Sequence, residues 1–179
     1  QTPDGETLVV LGDVCGKGLE AALLTGKIRN TLQALAPLAD DHAGVLRLLN
    51  SALLSAEHTK FATLVLASVC RRDGQVALRL TSAGHLAPLI VRADGRVEEA
   101  DTRGTLVGAL PDIRSSTFET ALAPGETCLL FTDGVTEAMD ASDHCYGDER
   151  LFQLVERECD GYPASVSGVI EEDVRAFAE

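Results

Sequence analysis

The feature that most constrains this chain is an apolar strand that stops abruptly at an acid. Leu8-Val9-Val10-Leu11, four apolar residues in a row, reads as a buried strand, and Gly12-Asp13 follows it as a sharp end that presents a carboxylate where the backbone turns. Gly16-Lys17-Gly18-Leu19-Glu20-Ala21-Ala22-Leu23-Leu24 then passes from small residues into strong helix formers, so the stretch reads as strand, glycine loop and helix start. The pattern returns late in the chain, where Cys128-Leu129-Leu130-Phe131-Thr132 leads into Asp133-Gly134. Two strands thus offer two carboxylates, Asp13 and Asp133. A lone acid in such a place also serves as a turn residue or helix N-cap, but two in like contexts suit a hard cation such as Mg²⁺ or Mn²⁺, which takes oxygen ligands. The spacing argues against a Walker-type nucleotide-binding loop. Gly12 and Gly16 enclose three residues rather than four, and Gly18 rather than Ser or Thr follows Lys17.

The 179 residues, 45% of them hydrophobic, suit one globular domain over 1–179 with a sizeable core. A formal net charge of −13 repels polyanions, so nucleic acid is not an expected partner, and the same field favours metal ions. No apolar run is long enough to span a bilayer and no signal-peptide pattern opens the chain, so the expected setting is soluble and cytoplasmic, without membrane contact. Five cysteines, Cys15, Cys70, Cys128, Cys145 and Cys159, have irregular spacings that fit neither a disulfide framework nor a zinc site, so free thiols are expected.

Along the chain, Pro3-Asp4-Gly5 signals a turn ahead of the first strand. Leu19, Ala22, Leu23, Ile28, Leu32 and Leu35 recur at helical spacing from Gly18 to about Ala36, with Pro37 as the stop. A second helix is expected from about Asp41 to Ala56, with Val45, Leu46, Leu49, Leu53 and Leu54 along one face, and His42 and His58 flank it as solvated surface residues. Ala62 to Val91 is strand-rich and is punctuated by an Arg72-Asp73-Gly74 hairpin turn. Ala93-Asp94-Gly95-Arg96 is a tight connection to a short strand near Val97. Arg103 to Asp112 reads as an irregular surface crossing. Thr117 to Ala121 and Glu126 to Thr132 are strands joined by the Pro124-Gly125 turn, and a short helix over Val135 to Met139 follows. After a polar loop from Asp140 to His144, helical patterns cover Asp148 to Glu158 and Pro163 to Glu179. The result is an α+β chain.

Gly12-Asp13-Val14-Cys15-Gly16-Lys17-Gly18, Ala83-Gly84-His85 with Pro88-Leu89, and Phe131-Thr132-Asp133-Gly134-Val135-Thr136-Glu137-Ala138 together resemble the stage-II-sporulation-E/sigma-regulator branch of the bacterial PP2C-like metal-dependent Ser/Thr phosphatases. The order of the motifs agrees, and Phe61-Ala62-Thr63-Leu64, Gly104 to Leu110 and Tyr146 to Leu151 stand where that family has similar stretches. The resemblance implies a four-layer α-β-β-α sandwich of two antiparallel sheets with a helical pair on each outer face. It also implies two Mn²⁺ or Mg²⁺ ions whose shared water attacks a phosphoserine or phosphothreonine in line.

In that scheme Asp13, the Val14 backbone carbonyl and Asp133 are the metal ligands, and Glu137, one helical turn after Asp133, is a further one. Lys17 either steers phosphate or is a solvated lysine at a helix start. Cys15 stands where the family has serine and is read as a small residue packed in the loop. His85 is read as structural, bracing the strand turn. The implied partner is a phosphorylated regulatory protein of the anti-sigma-factor-antagonist type, with a sensor or receiver domain upstream; a homodimer is also open. The family's Gly-Gly-Asp strand and its closing Asp-Asp-x-Thr strand are not among these residues, so one strand at each end and at least two metal carboxylates are missing. Weak metal binding by this segment is the expectation, and Glu137, Asp140 and Asp143 are the acids that would otherwise have to serve. Two rivals stand beside the phosphatase: a PP2C-like binding module without activity in the same kind of pathway, and a hydrolase of small phosphate esters.

Overall fold

The structure, a computed structural model, describes residues 6–54, 60–158 and 163–179. The Pro3-Asp4-Gly5 turn, His58, Cys159 and the last residues expected in the second helix lie outside the described residues.

Two antiparallel sheets stack face to face with helices on their outer sides. The first sheet runs in the order β1 (Thr7–Val14), β2 (Ala62–Arg72), β3 (Gln75–Ala83), β6 (Thr117–Leu122). The second runs β5 (Val97–Glu99), β4 (Leu89–Val91), β7 (Thr127–Leu129). Strand alternation explains the layering. Leu8 and Val10 of β1 and Leu64 and Leu66 of β2 face α1 (Leu19–Leu35) and α2 (His42–Leu53), packing on Ile28, Leu32, Val45, Leu46, Leu49 and Leu53. Residues one position out of step, Ala67, Leu78 and Leu80, meet Ile90 of the second sheet and form the dry layer between the sheets. On the far side Val91, Val97 and Leu129 pack beneath α4 (Asp148–Glu158) and α5 (Pro163–Ala178) through Leu151, Leu154, Val155, Val166 and Ile170. This is the expected α-β-β-α sandwich. Among the described residues no helix is long and apolar enough to cross a membrane.

The β2–β3 hairpin closes on Asp73 and Gly74 with φ of 50° and 80°, as a two-residue turn of right-twisted strands requires. The Pro124-Gly125 turn is present, Glu126 N–H donating to Ala123 O at 3.0 Å, but β6 and β7 belong to different sheets, so the turn carries the chain from one layer to the other. Arg92 clasps that corner. Its guanidinium donates to Glu98 at 2.7 Å, to Glu126 and the Ala121 carbonyl at 3.1 Å, and to Thr120 at 3.0 Å.

Three expectations are corrected. His42 is not a solvated flank: it is 3% exposed, with one ring nitrogen 2.9 Å from the Thr81 hydroxyl and the other 2.9 Å from Ser68. The side chain is carried inward because Asp41 caps α2, accepting from Gly44 N–H at 2.8 Å, which turns the first helical residue onto the sheet. Leu19 and Leu23 do not belong to the buried face of α1; they are 76% and 65% exposed, because the first turns of α1 have no layer beneath them among the described residues. The stretch from Arg103 to Asp112 is irregular but not wholly on the surface. Val107 is fully buried and exchanges two backbone hydrogen bonds with Ala62, at 2.9 and 3.0 Å. The buried Asn50 of α2 pins its neighbours, accepting from Gly108 N–H at 2.7 Å and donating to Leu110 O at 2.9 Å.

The four described cysteines, Cys15, Cys70, Cys128 and Cys145, are free. Burial pushes the Cys128 thiol up to about 12, so it packs in its protonated form.

Candidate active site

The first acid owes its place to a glycine. β1 lies against β2 in a register that sets Gly12 opposite Leu64 and Asp13 opposite Thr63. A Cβ on Gly12 would collide with the Thr63 carbonyl and the Leu64 side chain, so glycine lets the strand end lie flat. Cys15 N–H extends the ladder by donating to Phe61 O at 2.9 Å. The chain then leaves through Gly16 at φ 102° and Gly18 at φ 79°, and α1 begins when Ala22 N–H finds Gly18 O at 3.1 Å. Asp13 shares its face with Thr63 and Val65, which look toward the second sheet.

The second acid comes from the opposite layer. Beyond β7 the chain runs extended through Leu130 and Phe131, Thr132 is the N-cap of α3 (Asp133–Thr136), and Asp133 is its first residue. Glu137 follows one turn later, its N–H donating to Asp133 O at 2.7 Å. Asp13, Asp133 and Glu137 are all exposed.

His85 joins the strand opposite Asp13 to the segment that leads into Asp133. One ring nitrogen, Nδ1, is 2.9 Å from Thr63 Oγ1, and Nε2 is 3.0 Å from the Phe131 carbonyl. A carbonyl only accepts, so Nε2 carries the proton and Nδ1 accepts from the threonine hydroxyl. Burial lowers the proton affinity of the ring; the Phe131 hydrogen bond and the negative charges of Asp133 and Asp13 oppose that effect without overcoming it. Both carboxylates therefore bear on one ring. Glu137 is not among the charges that reach it.

Other predicted acids are placed elsewhere. Asp140 is committed to its own loop, accepting from Ser142 N–H at 2.8 Å and His144 N–H at 2.9 Å, with the His144 ring at 3.2 Å. These contacts hold its carboxyl below the usual range. Asp143 is an exposed residue of the same loop, at φ 62°. Lys17 is exposed. Lys60, to which the sequence reading gave no role, reaches over the glycine loop: its Nζ is 3.4 Å from Glu20 and 3.0 Å from where a Cβ on Gly16 would stand.

The oxygen donors fit a hard divalent cation in kind. In number they do not make a closed cage, since no group of three or more His, Cys, Asp or Glu side chains converges among the described residues. Magnesium and manganese keep several waters and tolerate such an open set.

Residues 3–178 match the family model described as Stage II sporulation protein E. Protein IcfG of Synechocystis sp. is 27% identical over 180 residues, covering 85% of this chain and 28% of the relative. Phosphoserine phosphatase RsbU of Bacillus subtilis is 28% identical over 131 residues, covering 72% of this chain and 38% of the relative. The chain thus spans about a third of the length of these curated relatives. Among solved structures, the RsbU and RsbW domains of a Mycobacterium tuberculosis protein superpose with a TM-score of 0.74 at 21% identity, over 97% of this chain and 48% of that one. The catalytic domain of the serine/threonine phosphatase PstP, solved with two manganese ions, gives 0.60 at 16% identity, over 96% of this chain and 82% of that one. At these identities the superpositions speak for the fold.

Proposed function

We propose that this chain, which belongs to the stage II sporulation protein E family of PP2C-like phosphatases, hydrolyses phosphoserine or phosphothreonine on a small regulatory protein in a metal-dependent reaction. The observation that carries the reading is the pair of carboxylates, Asp13 paired across the sheet with Thr63 and Asp133 two residues beyond Phe131, with His85 joining Thr63 to Phe131 by hydrogen bonds. A phosphoprotein of the anti-sigma-factor-antagonist type, in bacterial stress or sigma-factor signalling, is the substrate class. The phosphoserine phosphatase named among the relatives, and the RsbU–RsbW pairing in a solved neighbour, support it. A sensor or receiver domain elsewhere in the full-length protein supplies the input.

In this reading Asp13, the Val14 backbone carbonyl and Asp133 hold Mn²⁺ or Mg²⁺, with Glu137 beside Asp133 as a further oxygen donor. The manganese in the PstP neighbour supports that choice of ion. When bound, the cations acidify a water for in-line attack at phosphorus and offset the charge of the phosphoryl oxygens. The chain's own residues set the stage. Asp13 and Asp133 fix where positive charge collects on an otherwise acidic molecule, and the glycine loop from Gly16 to Gly18 keeps side-chain bulk away from Asp13. Lys60, held by Glu20 at the edge of that loop, is a cation available to a phosphate.

Asp13→Asn and Asp133→Asn each lower Mn²⁺-dependent hydrolysis of a phosphoprotein by at least about a hundredfold in the intact protein, with unchanged circular dichroism. Near-normal turnover in either folded variant removes that acid from the site. A second reading, a binding module without turnover, is favoured by one observation, the lack of a three-ligand cluster among the described residues. It requires the intact protein to bind its phosphoprotein and leave the phosphate in place when Mn²⁺ is added.

A further inference from the structure

His85 touches a neighbour of each acid, Thr63 across from Asp13 and Phe131 two residues before Asp133, and nothing in the proposed chemistry uses it. We infer that His85 is a positioning residue: its imidazole ties Thr63 of the first sheet to the Phe131 carbonyl of the second and thereby sets the separation of Asp13 and Asp133. This rests on the metal-site reading given above and deepens it.

The geometry of each end makes the link short. Thr63 is the register partner of Asp13, so whatever fixes Thr63 fixes the strand position across which Asp13 lies. Phe131 precedes Asp133 by two residues, in a segment that makes no ladder of its own after Leu129. The ring bridges them with hydrogen bonds of 2.9 and 3.0 Å, and the tautomer is dictated because the Phe131 carbonyl can only accept.

The backbone that carries the ring is held from behind. His85 N–H donates to Ser82 Oγ at 3.1 Å, and Ser82 Oγ donates back to His85 O at 3.0 Å, with Ser82 fully buried. Gly84 takes φ 75° with the backbone nitrogen of Leu106 only 2.8 Å from where a Cβ would stand, so the turn that launches His85 has no room to relax. Gly104 in turn packs directly on the Ser82 carbonyl. A rigid base, a residue 9% exposed and two directed hydrogen bonds describe a spacer between two layers. With both ring nitrogens engaged in these bonds, neither is left over for proton transfer.

Outer residues that orient metal ligands typically change affinity or activity about 10- to 100-fold when removed. The test is Mn²⁺ affinity by titration calorimetry in the intact protein, alongside thermal melting without metal. His85→Ala is expected to weaken Mn²⁺ binding by about tenfold or more. Thr63→Val, which removes the hydroxyl at nearly constant shape, is expected to weaken it in the same direction with little change in melting temperature. The double variant is expected to be no weaker than His85→Ala alone, because both changes cut one tether. A folded His85→Ala protein with wild-type Mn²⁺ affinity overturns the inference. If His85→Ala fails to fold, Thr63→Val decides, and wild-type affinity there overturns it equally. Asp133→Asn run in parallel separates the two claims. Unchanged affinity in Asp133→Asn sinks the metal-site reading itself, whereas loss there with retention in both tether variants sinks only the role given to His85.

Discussion

Acid should loosen this protein through His42 before it reaches the carboxylates. The ring is 3% exposed and bonded on both nitrogens to hydroxyls, Thr81 and Ser68, and Thr81 passes the chain on to Thr117 at 2.8 Å. Burial, reinforced by the Arg79 guanidinium and opposed by Asp41, pushes its pKa from 6.5 down to about 4. Arg79 itself is engaged by Glu6 at 3.1 Å and by the Asp40 carbonyl at 2.8 Å, so its positive charge is fixed near the ring. The unfolded chain therefore takes up this proton at a higher pH than the native one. The contribution is complete above pH 6.5 and is lost as pH falls toward 4. It amounts to about 2 kcal/mol lost by pH 5 and about 3 kcal/mol by pH 4. Urea unfolding of the wild type and of His42→Gln at half-unit steps from pH 7.5 to 4 isolates the effect, because other groups, His85 among them, cancel in the difference. The wild-type curve should fall more steeply by these amounts. Curves that stay parallel from pH 6.5 down to 4 would refute the assignment.

Two further substitutions follow from the same structure. Arg92→Met leaves Glu126, 13% exposed at its side chain, without its cation at the corner between the sheets, and should cost about 2 to 3 kcal/mol in urea unfolding; Arg92→Lys should recover little, since an ammonium cannot reproduce the four contacts. Gly12→Ala should destabilise by about 1 to 3 kcal/mol and also weaken Mn²⁺ binding, because the new methyl collides with Thr63 and Leu64 and pushes Asp13 off register; calorimetry and melting of one preparation read both.

Local pattern carried much of this fold. The Asp73-Gly74 turn and the helix from Asp148 to Glu158 follow from neighbours in sequence and stand as read; the apolar run before Gly12-Asp13 does form a strand, but at the edge of its sheet with Val9 41% exposed rather than buried. The family's motifs supplied the stacking of the sheets, which periodicity does not contain. What was illegible depends on partners far along the chain. His42 looks like a polar helix end until Ser68 and Thr81, 26 and 39 residues away, present hydroxyls to it. Pro124-Gly125 spells a turn but not which sheet the next strand joins. The exposure of Leu19 and Leu23 is likewise invisible to a helical repeat, which reports a face but not whether anything lies under it. At the site, both acids were marked by their strand ends, whereas the tie through Thr63 and the Phe131 carbonyl was not, because one partner is a backbone atom and no side-chain pattern encodes it.

Splitting the two acids between two sheets also bears on how the chain reaches its working state. β1 and β2 must close a long loop containing α1 and α2 before Asp13 faces Thr63, and Asp133 is brought in only when β7 has paired with β4 of the other sheet. Contacts this distant in sequence form late. A nascent or partly folded chain with one sheet assembled would thus carry one carboxylate without its counterpart, and a single exposed acid does little to concentrate a divalent ion. On the proposed reading, competence to hold metal marks the completion of folding, so an immature chain would neither sequester manganese nor strip phosphate from the wrong protein.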